Sequence, residues 1–333
     1  RPPGIEGQTL TIEKSHLELK PGQRSSNAKL VLSINSSQGG QHVIKLPPQA
    51  ELQEVKIGDA IQPIRQDGCN VPLPISPGSQ TVELIWTEAR GMTAQYKTSK
   101  IDLGTPSVNA GVDVHLPHNR WPLVLGGEQL VGPAVLFWSM VIVVVLAALG
   151  LARTGLTPLK VHHWVWLGIG MSMSTLPACI LVVGWLIALD YRKKADRLEK
   201  GTFNSVQIGL AFLTVLALGA LVAAISQGLL GHPDMNIVGN GSSRNLLRWY
   251  HDMSDSTLPQ AWVLSVPMFY YRLSMLAWAL WISFGLIRIL RWGWANYTTP
   301  TIWYHLPKKQ KRWGMSKPAA PKESQEENSE NGS

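Results

Sequence analysis

Residues 129–152 run for 24 positions between Glu128 and Arg153 without one formal charge. A helix rises ~1.5 Å per residue and the hydrocarbon core of a bilayer is ~30 Å thick, so about 20 apolar residues span it. The spacing therefore predicts a membrane helix over 130–152. Three further apolar stretches follow, at 161–190, 205–230 and 264–291. A small helical bundle of three or four spans is expected over 130–295.

The stretch between Lys160 and Asp190 is longer than one span needs, and Pro177 weakens its middle. Proline removes a backbone donor and clashes with the preceding turn. Two readings stay open here: one kinked, tilted helix, or two half-helices that re-enter on one side, which lipid tolerates only where protein covers them. The 205–230 stretch carries Gly209, Ala217, Gly219, Ala220, Ala223 and Ala224, small residues that let helices approach closely.

Upstream, residues 1–120 show the alternation of half-buried strands. Val108, Ala110, Val112, Val114 and Leu116 share one face, and Leu30, Leu32 and Ile34 repeat the pattern. Turn signals at Pro21-Gly22, Gly39-Gly40, Asp67-Gly68 and Pro77-Gly78 separate the strands. An N-terminal antiparallel β-sandwich is expected, joined to the bundle by a hinge at 121–129. Residues 231–260 read as a polar loop, with a short amphipathic piece at 245–253 on the surface. Residues 296–333 read as a basic, then disordered tail.

The mean hydropathy of +0.04 is an average over two unlike halves. The net charge of +8 does not point to nucleic acid. Its basic residues sit beside apolar runs, at Arg192, Lys193, Lys194 and Arg197 and at Lys308, Lys309, Lys311 and Arg312, as expected for segments facing anionic lipid on the cytoplasmic side. Cys69 and Cys179 lie in unlike halves and are not expected to pair. The start at Arg1-Pro2-Pro3 reads as a processed chain or as the C-terminal part of a longer one. The positive-inside rule places 192–200 and the tail in the cytoplasm and 231–260 outside. If 161–190 crosses once, the β domain is cytoplasmic. If it re-enters, the β domain is outside; this second arrangement puts every basic loop inside and is preferred.

Few residues suggest chemistry. Arg272 is the one candidate functional intramembrane residue, expected about eight residues and ~12 Å into the fourth helix. Snorkelling to the interface is the plainer role. His162, His163 and His251 are weak metal or haem candidates, since adjacent histidines face apart and no carboxylate or cysteine completes a set nearby. Ser172 and Ser174 lack the surroundings of a nucleophile. Asp252 and Asp255 beside His251 read as a solvated loop. No catalytic, cofactor-binding or metal residue is assigned.

The segments FWSMVIVVVLAALGLARTGLTPLKVHHWVWLGIG, VVGWLIALDYRKK and YYRLSMLAWALW resemble the C-terminal region of large uncharacterised bacterial envelope proteins. The resemblance covers about residues 40–300. It implies a β-rich region before a few membrane helices, in the inner membrane of a Gram-negative cell with the β domain periplasmic. That family has no assigned activity, so the resemblance transfers no catalytic position. The expected function is a non-enzymatic membrane-anchored envelope protein, scaffolding or binding another envelope protein through its β domain. The lipid bilayer is its other partner, with no cofactor and no nucleic acid. The alternative is a transporter or channel subunit with Arg272 lining a polar path.

Overall fold

The computed structural model describes residues 10–128, 130–155, 157, 159–172, 174–193, 200–299 and 302. Most of the expected tail, with Lys194 and Arg197, lies outside the described residues.

Strands β1 (Leu10–Pro21) and β2 (Ser26–Ser36) form a long antiparallel hairpin. Ala28, Leu30, Leu32 and Ile34 are buried while the residues between them face outward, because successive side chains of a strand point to opposite faces. β4 (Ala50–Ile57), β5 (Ala60–Gln62), β7 (Gly78–Glu88), β9 (Ser107–His115) and β13 (Leu246–Ser254) complete a seven-stranded sheet ordered β13-β9-β1-β2-β7-β4-β5. Three smaller sheets accompany it. β3 (Gly40–Lys45) pairs with β6 (Asn70–Ile75), and β11 (Ala134–Val135) with β12 (Ile237–Val238). β14 (Ala261–Pro267) lies between β10 (Arg120–Gly127) and β8 (Gln95–Lys97). One core joins Leu17, Leu30 and Trp86 of the large sheet to Ile44 and Leu73 of β3–β6 and to Tyr96 and Val263 of β8–β14.

Three expectations for this half are corrected. The sheet is not wholly antiparallel, since β9 runs parallel to β1; the long connection through β8 returns the chain in the same direction. The hinge expected at 121–129 is largely strand β10, held by β14. The expected loop at 231–260 supplies β12 and β13, so the sheet domain does not end at residue 120. Leu247 and Trp249 of β13 are 0% and 1% exposed, and Trp249 is in register with Val112. Without β13 the backbone of β9 would be an open edge. The piece expected on the surface at 245–253 is therefore a sheet strand, with Arg248, Tyr250 and Asp252 outward and Leu247 and Trp249 in the core.

Among the described residues, five helices form the second part: α1 (Phe137–Arg153), α2 (Val161–Met171), α3 (Leu176–Lys193), α4 (Lys200–Leu230) and α5 (Met268–Thr298). Two of them, α4 and α5, are long and apolar enough to cross a membrane. That is fewer full-length spans than the three or four expected. Helix α1 has 17 residues, about 25 Å, because Val131 is bridged to Tyr250 and β11 takes the residues expected to begin it. The 161–190 stretch is broken into α2 and α3 around Ser172–Thr175, and Pro177 falls in the first turn of α3, where a missing N–H is tolerated. The fourth expected helix begins at Met268 rather than 264, since 261–267 is strand β14, and it runs on to Thr298.

The helices share their own core around Trp164, Trp185 and Trp278. Gly170 leaves room for the Trp278 indole, whose Nε1 donates to the Trp166 carbonyl at 2.9 Å. Their outer surface is apolar: Ile142, Val143, Leu146, Ile180, Phe212, Val222 and Phe284 are 61–74% exposed. Water is a poor solvent for such a surface, and lipid a good one.

Candidate functional site: the outer face of the large sheet

The face of the seven-stranded sheet that bears the outward charges carries a row of charged side chains and histidines across six strands. Arg248 of β13 meets Asp113 of β9 (3.4 Å), which also faces His16 of β1 (3.6 Å). Glu18 of β1 joins His115 of β9 (3.0 Å) and Lys20 (2.8 Å). Lys29 of β2 meets Glu83 of β7 (2.9 Å), and Lys56 of β4 bonds to Glu54 (2.8 Å) beside Glu83 (3.9 Å). Register builds this row, since Glu18 lies opposite both Asp113 and Lys29, Arg248 opposite Asp113, and Lys56 opposite Glu83. At ~4.8 Å between strands the row spans about 24 Å.

The hydrogen bond from Lys20 holds the Glu18 carboxyl below its ordinary 4.5, against the opposing pull of partial burial. The bond to Glu54 raises the Lys56 ammonium above 10.5. Exposed pairs of this kind add little stability, ~0–1 kcal/mol each. What they do is keep a broad surface charged, mixed in sign and ordered.

The sheet domain is bolted to the helices. The chain passes between the two parts after Val135, Leu230 and Pro267. At this junction the Trp121 ring meets Tyr271 edge-on at 5.3 Å, and its Nε1 donates to the Met235 sulfur (3.0 Å). Trp138 Nε1 donates to the Leu123 carbonyl (2.7 Å), and the Met268 N–H to that of Asn119 (2.9 Å). The outer face is therefore presented at a set angle to the helix axes.

Arg272, the His162–His163 pair and His251 lie apart from one another. Arg272 is exposed in the second turn of α5, about 6 Å from Met268, because the helix starts later than expected. His162 and His163 open α2, their rings 4.1 Å apart, and His163 lies 6.0 Å from the Trp281 ring. His251 sits instead on β13, in a polar pocket of about 500 Å³ with Glu128, Ser254 and Asp255. Among the described residues no three His, Cys, Asp or Glu are grouped to hold a metal. Ser172 donates to the Ile169 carbonyl (2.6 Å); Ser174 lines a cavity with Cys179, Asp234 and Asn236. Cys69 and Cys179 are free.

Two polar features escaped sequence reasoning. One is the ion-pair row: alternation marks its members as outward, but only register pairs them. The other is Arg192, 2% exposed, whose Nε donates to Gln207 Oε1 (2.8 Å) and Nη1 to the Thr299 carbonyl (3.1 Å), with the guanidinium 4.1 Å over the Phe203 ring. In sequence it reads as one more juxtamembrane base.

No protein-family model and no curated protein matches the chain. Among solved structures, the M1 zinc metallopeptidase of Deinococcus radiodurans shares 12% identity, over 38% of this chain and 36% of that one, with a TM-score of 0.29. A mutant of it bound to a Tyr-Ser-Ala substrate matches at 12%, over 37% and 35%, with a TM-score of 0.28. The matches span about a third of the metallopeptidase chains, and likeness at this level carries neither fold nor activity across.

Proposed function

We propose that this chain is a membrane-anchored protein of the bacterial envelope whose sheet domain binds another envelope protein, acting as a scaffold without catalysis of its own. The observation that carries this reading is the ordered charged face on a domain fixed to the membrane helices. Such a face suits a partner of complementary charge pattern, because matched potentials set register and orientation more than raw affinity.

The arrangement of the helices supports a sidedness. Strand β13 follows α4 and joins the sheet begun by β1, so both ends of the helical region's sheet connections lie on one side. Helix α2, about 16 Å long, turns back at Ser172 beside Asp234 and Asn236, on that same side. Arg153 at the end of α1, Lys160 at the start of α2 and Arg192 at the end of α3 then fall on the opposite side, and the positive-inside rule makes that side cytoplasmic. The sheet domain is accordingly periplasmic, in an inner membrane, and the tail cytoplasmic. Arg272, exposed at the head of α5, lends no support to a transport path.

The test is photo-crosslinking in cells from the outer face, with the crosslinker at Asn27 or Val31 beside Lys29. A discrete protein adduct is expected, lost in the double variant Lys29→Glu/Lys56→Glu while the protein still accumulates in the membrane. Absence of any protein adduct from this face, with normal accumulation, refutes the reading.

A further inference from the structure

A groove of about 600 Å³ opens between α3, α4 and α5, toward the C-terminal end of α3. Trp185 and Leu189 of α3, Ala211 and Thr214 of α4, and Arg291 and Trp294 of α5 line it. Its volume falls within the ~300–1,000 Å³ of small-molecule sites. Its walls are mostly apolar. The Thr214 hydroxyl is already used, accepting from Trp185 Nε1 (2.9 Å) and donating to the Leu210 carbonyl (2.8 Å). Arg291 differs: it is exposed, and among the described residues neither it nor Arg288, three positions earlier on the same helix face, forms an ion pair.

Depth gives the groove its meaning. Arg291 lies 23 residues after Met268, about 35 Å along α5. With Met268 at one edge of a ~30 Å hydrocarbon core, Arg291 reaches the headgroups of the other leaflet. Trp294 and Tyr297, stacked with ring centres 6.1 Å apart, form the outer rim of the groove, where aromatic belts form, while Thr214 and Ala211, about 24 and 29 Å along α4 from Leu230, wall it within the hydrocarbon. The base is rigid, because Gln207 Nε2 donates to the Tyr297 carbonyl (3.0 Å) and Arg192 to Gln207.

We propose that this groove holds an acyl chain of an anionic phospholipid, with its phosphate on Arg291. A guanidinium forks onto phosphate oxygens through paired N–H donors. A zwitterionic lipid would bring its own cation towards Arg288 and Arg291. An apolar partner helix seated here would bury Arg291 without a counter-charge, which lipid-embedded proteins avoid. The assignment requires α4 and α5 to cross a bilayer and is independent of what the sheet domain binds.

The experiment uses the full chain in nanodiscs of phosphatidylcholine containing a minor fraction of phosphatidylglycerol, with retained lipid counted by native mass spectrometry. Wild type is expected to keep phosphatidylglycerol in preference to phosphatidylcholine. Ala211→Trp, which fills the groove from an exposed position, lowers retention of both lipids by about tenfold, equivalent to ~1.4 kcal/mol. Arg291→Gln keeps lipid but loses the headgroup preference, and Arg272→Gln, at the other end of α5, changes neither. Ala211→Leu and Arg291→Lys give the same directions in smaller measure should either main variant fail to fold. Equal retention by wild type and the groove-filling variants overturns the proposal. So does a headgroup preference that survives Arg291→Gln, or a photo-crosslink from position 211 that captures protein instead of lipid.

Discussion

Trp249 is where the late strand β13 is locked to the rest of the sheet domain, and removing it tests the architecture directly. The indole is 1% exposed and lies against the backbone of Gly127 and Gly132 on the segment leading into α1. A Cβ on Gly127 would stand 3.2 Å from its Cδ1, and one on Gly132 would overlap the ring. A buried tryptophan removes ~200 Å² from water, which at ~25 cal/mol per Å² is an upper bound of ~5 kcal/mol. Among the described residues the indole Nε1 has no hydrogen-bond partner, so its desolvation, ~1–3 kcal/mol, already works against the native state. The net expectation for Trp249→Ala is a loss of about 3 kcal/mol, at the low end of the usual range for such truncations. For a domain of this size that lowers the midpoint by about 6–12 °C. Trp249→Phe, which keeps an aromatic body and discards the orphan donor, should lose less than half as much. Both are read from thermal unfolding of the sheet domain in the full chain, together with protease cleavage at 239–243. If Trp249→Ala melts within ~1 kcal/mol of wild type and the 239–243 turn is no more easily cut, β13 is not the structural edge described here.

Three further outcomes follow from individual side chains. Burial raises the Tyr96 phenol to about 12, with the Ser26 hydrogen bond opposing and the Glu88 charge adding. Its contribution is whole below pH 10 and drains as pH climbs from 10 to about 12, by about 3 kcal/mol in all; Tyr96→Phe should flatten that part of the urea-midpoint profile, and an unchanged profile would contradict the assignment. Arg192→Met leaves Gln207 Oε1 without its Arg192 donor and should lower the melting point in detergent by the equivalent of ~1–3 kcal/mol, with Arg192→Met/Gln207→Leu recovering part of it. Arg272→Leu, at an exposed site, should insert and accumulate normally with stability within ~0.5 kcal/mol of wild type, measured by the same melt.

Much of the sheet domain was legible because strand alternation is a local property. Leu30, Leu32 and Ile34 announce an inward face whatever lies beside them. A weak point near Pro177 was legible too, since proline is not accommodated inside a helix; that it would stand in the first turn of a separate α3 was left open between two readings. The starts of α1 and α5 were not. Apolar composition continues through 130–136 and 261–267, and hydropathy does not register that those residues are claimed by strand pairing. The same limit misplaced Arg272, whose depth is counted from a helix start that the β14 ladder fixes.

The chain's own residues determine that its second half offers apolar helices long enough for lipid and that its first half is built of strands. These follow from short-range periodicity and from the length of uncharged runs. Tertiary structure alone decided that residues 246–267 return to the sheet domain, that the outward charges line up across six strands, and that Arg192 is buried. The reason is register: which strand lies opposite which, and at what offset, depends on contacts between residues more than a hundred positions apart, such as Trp249 and Val112.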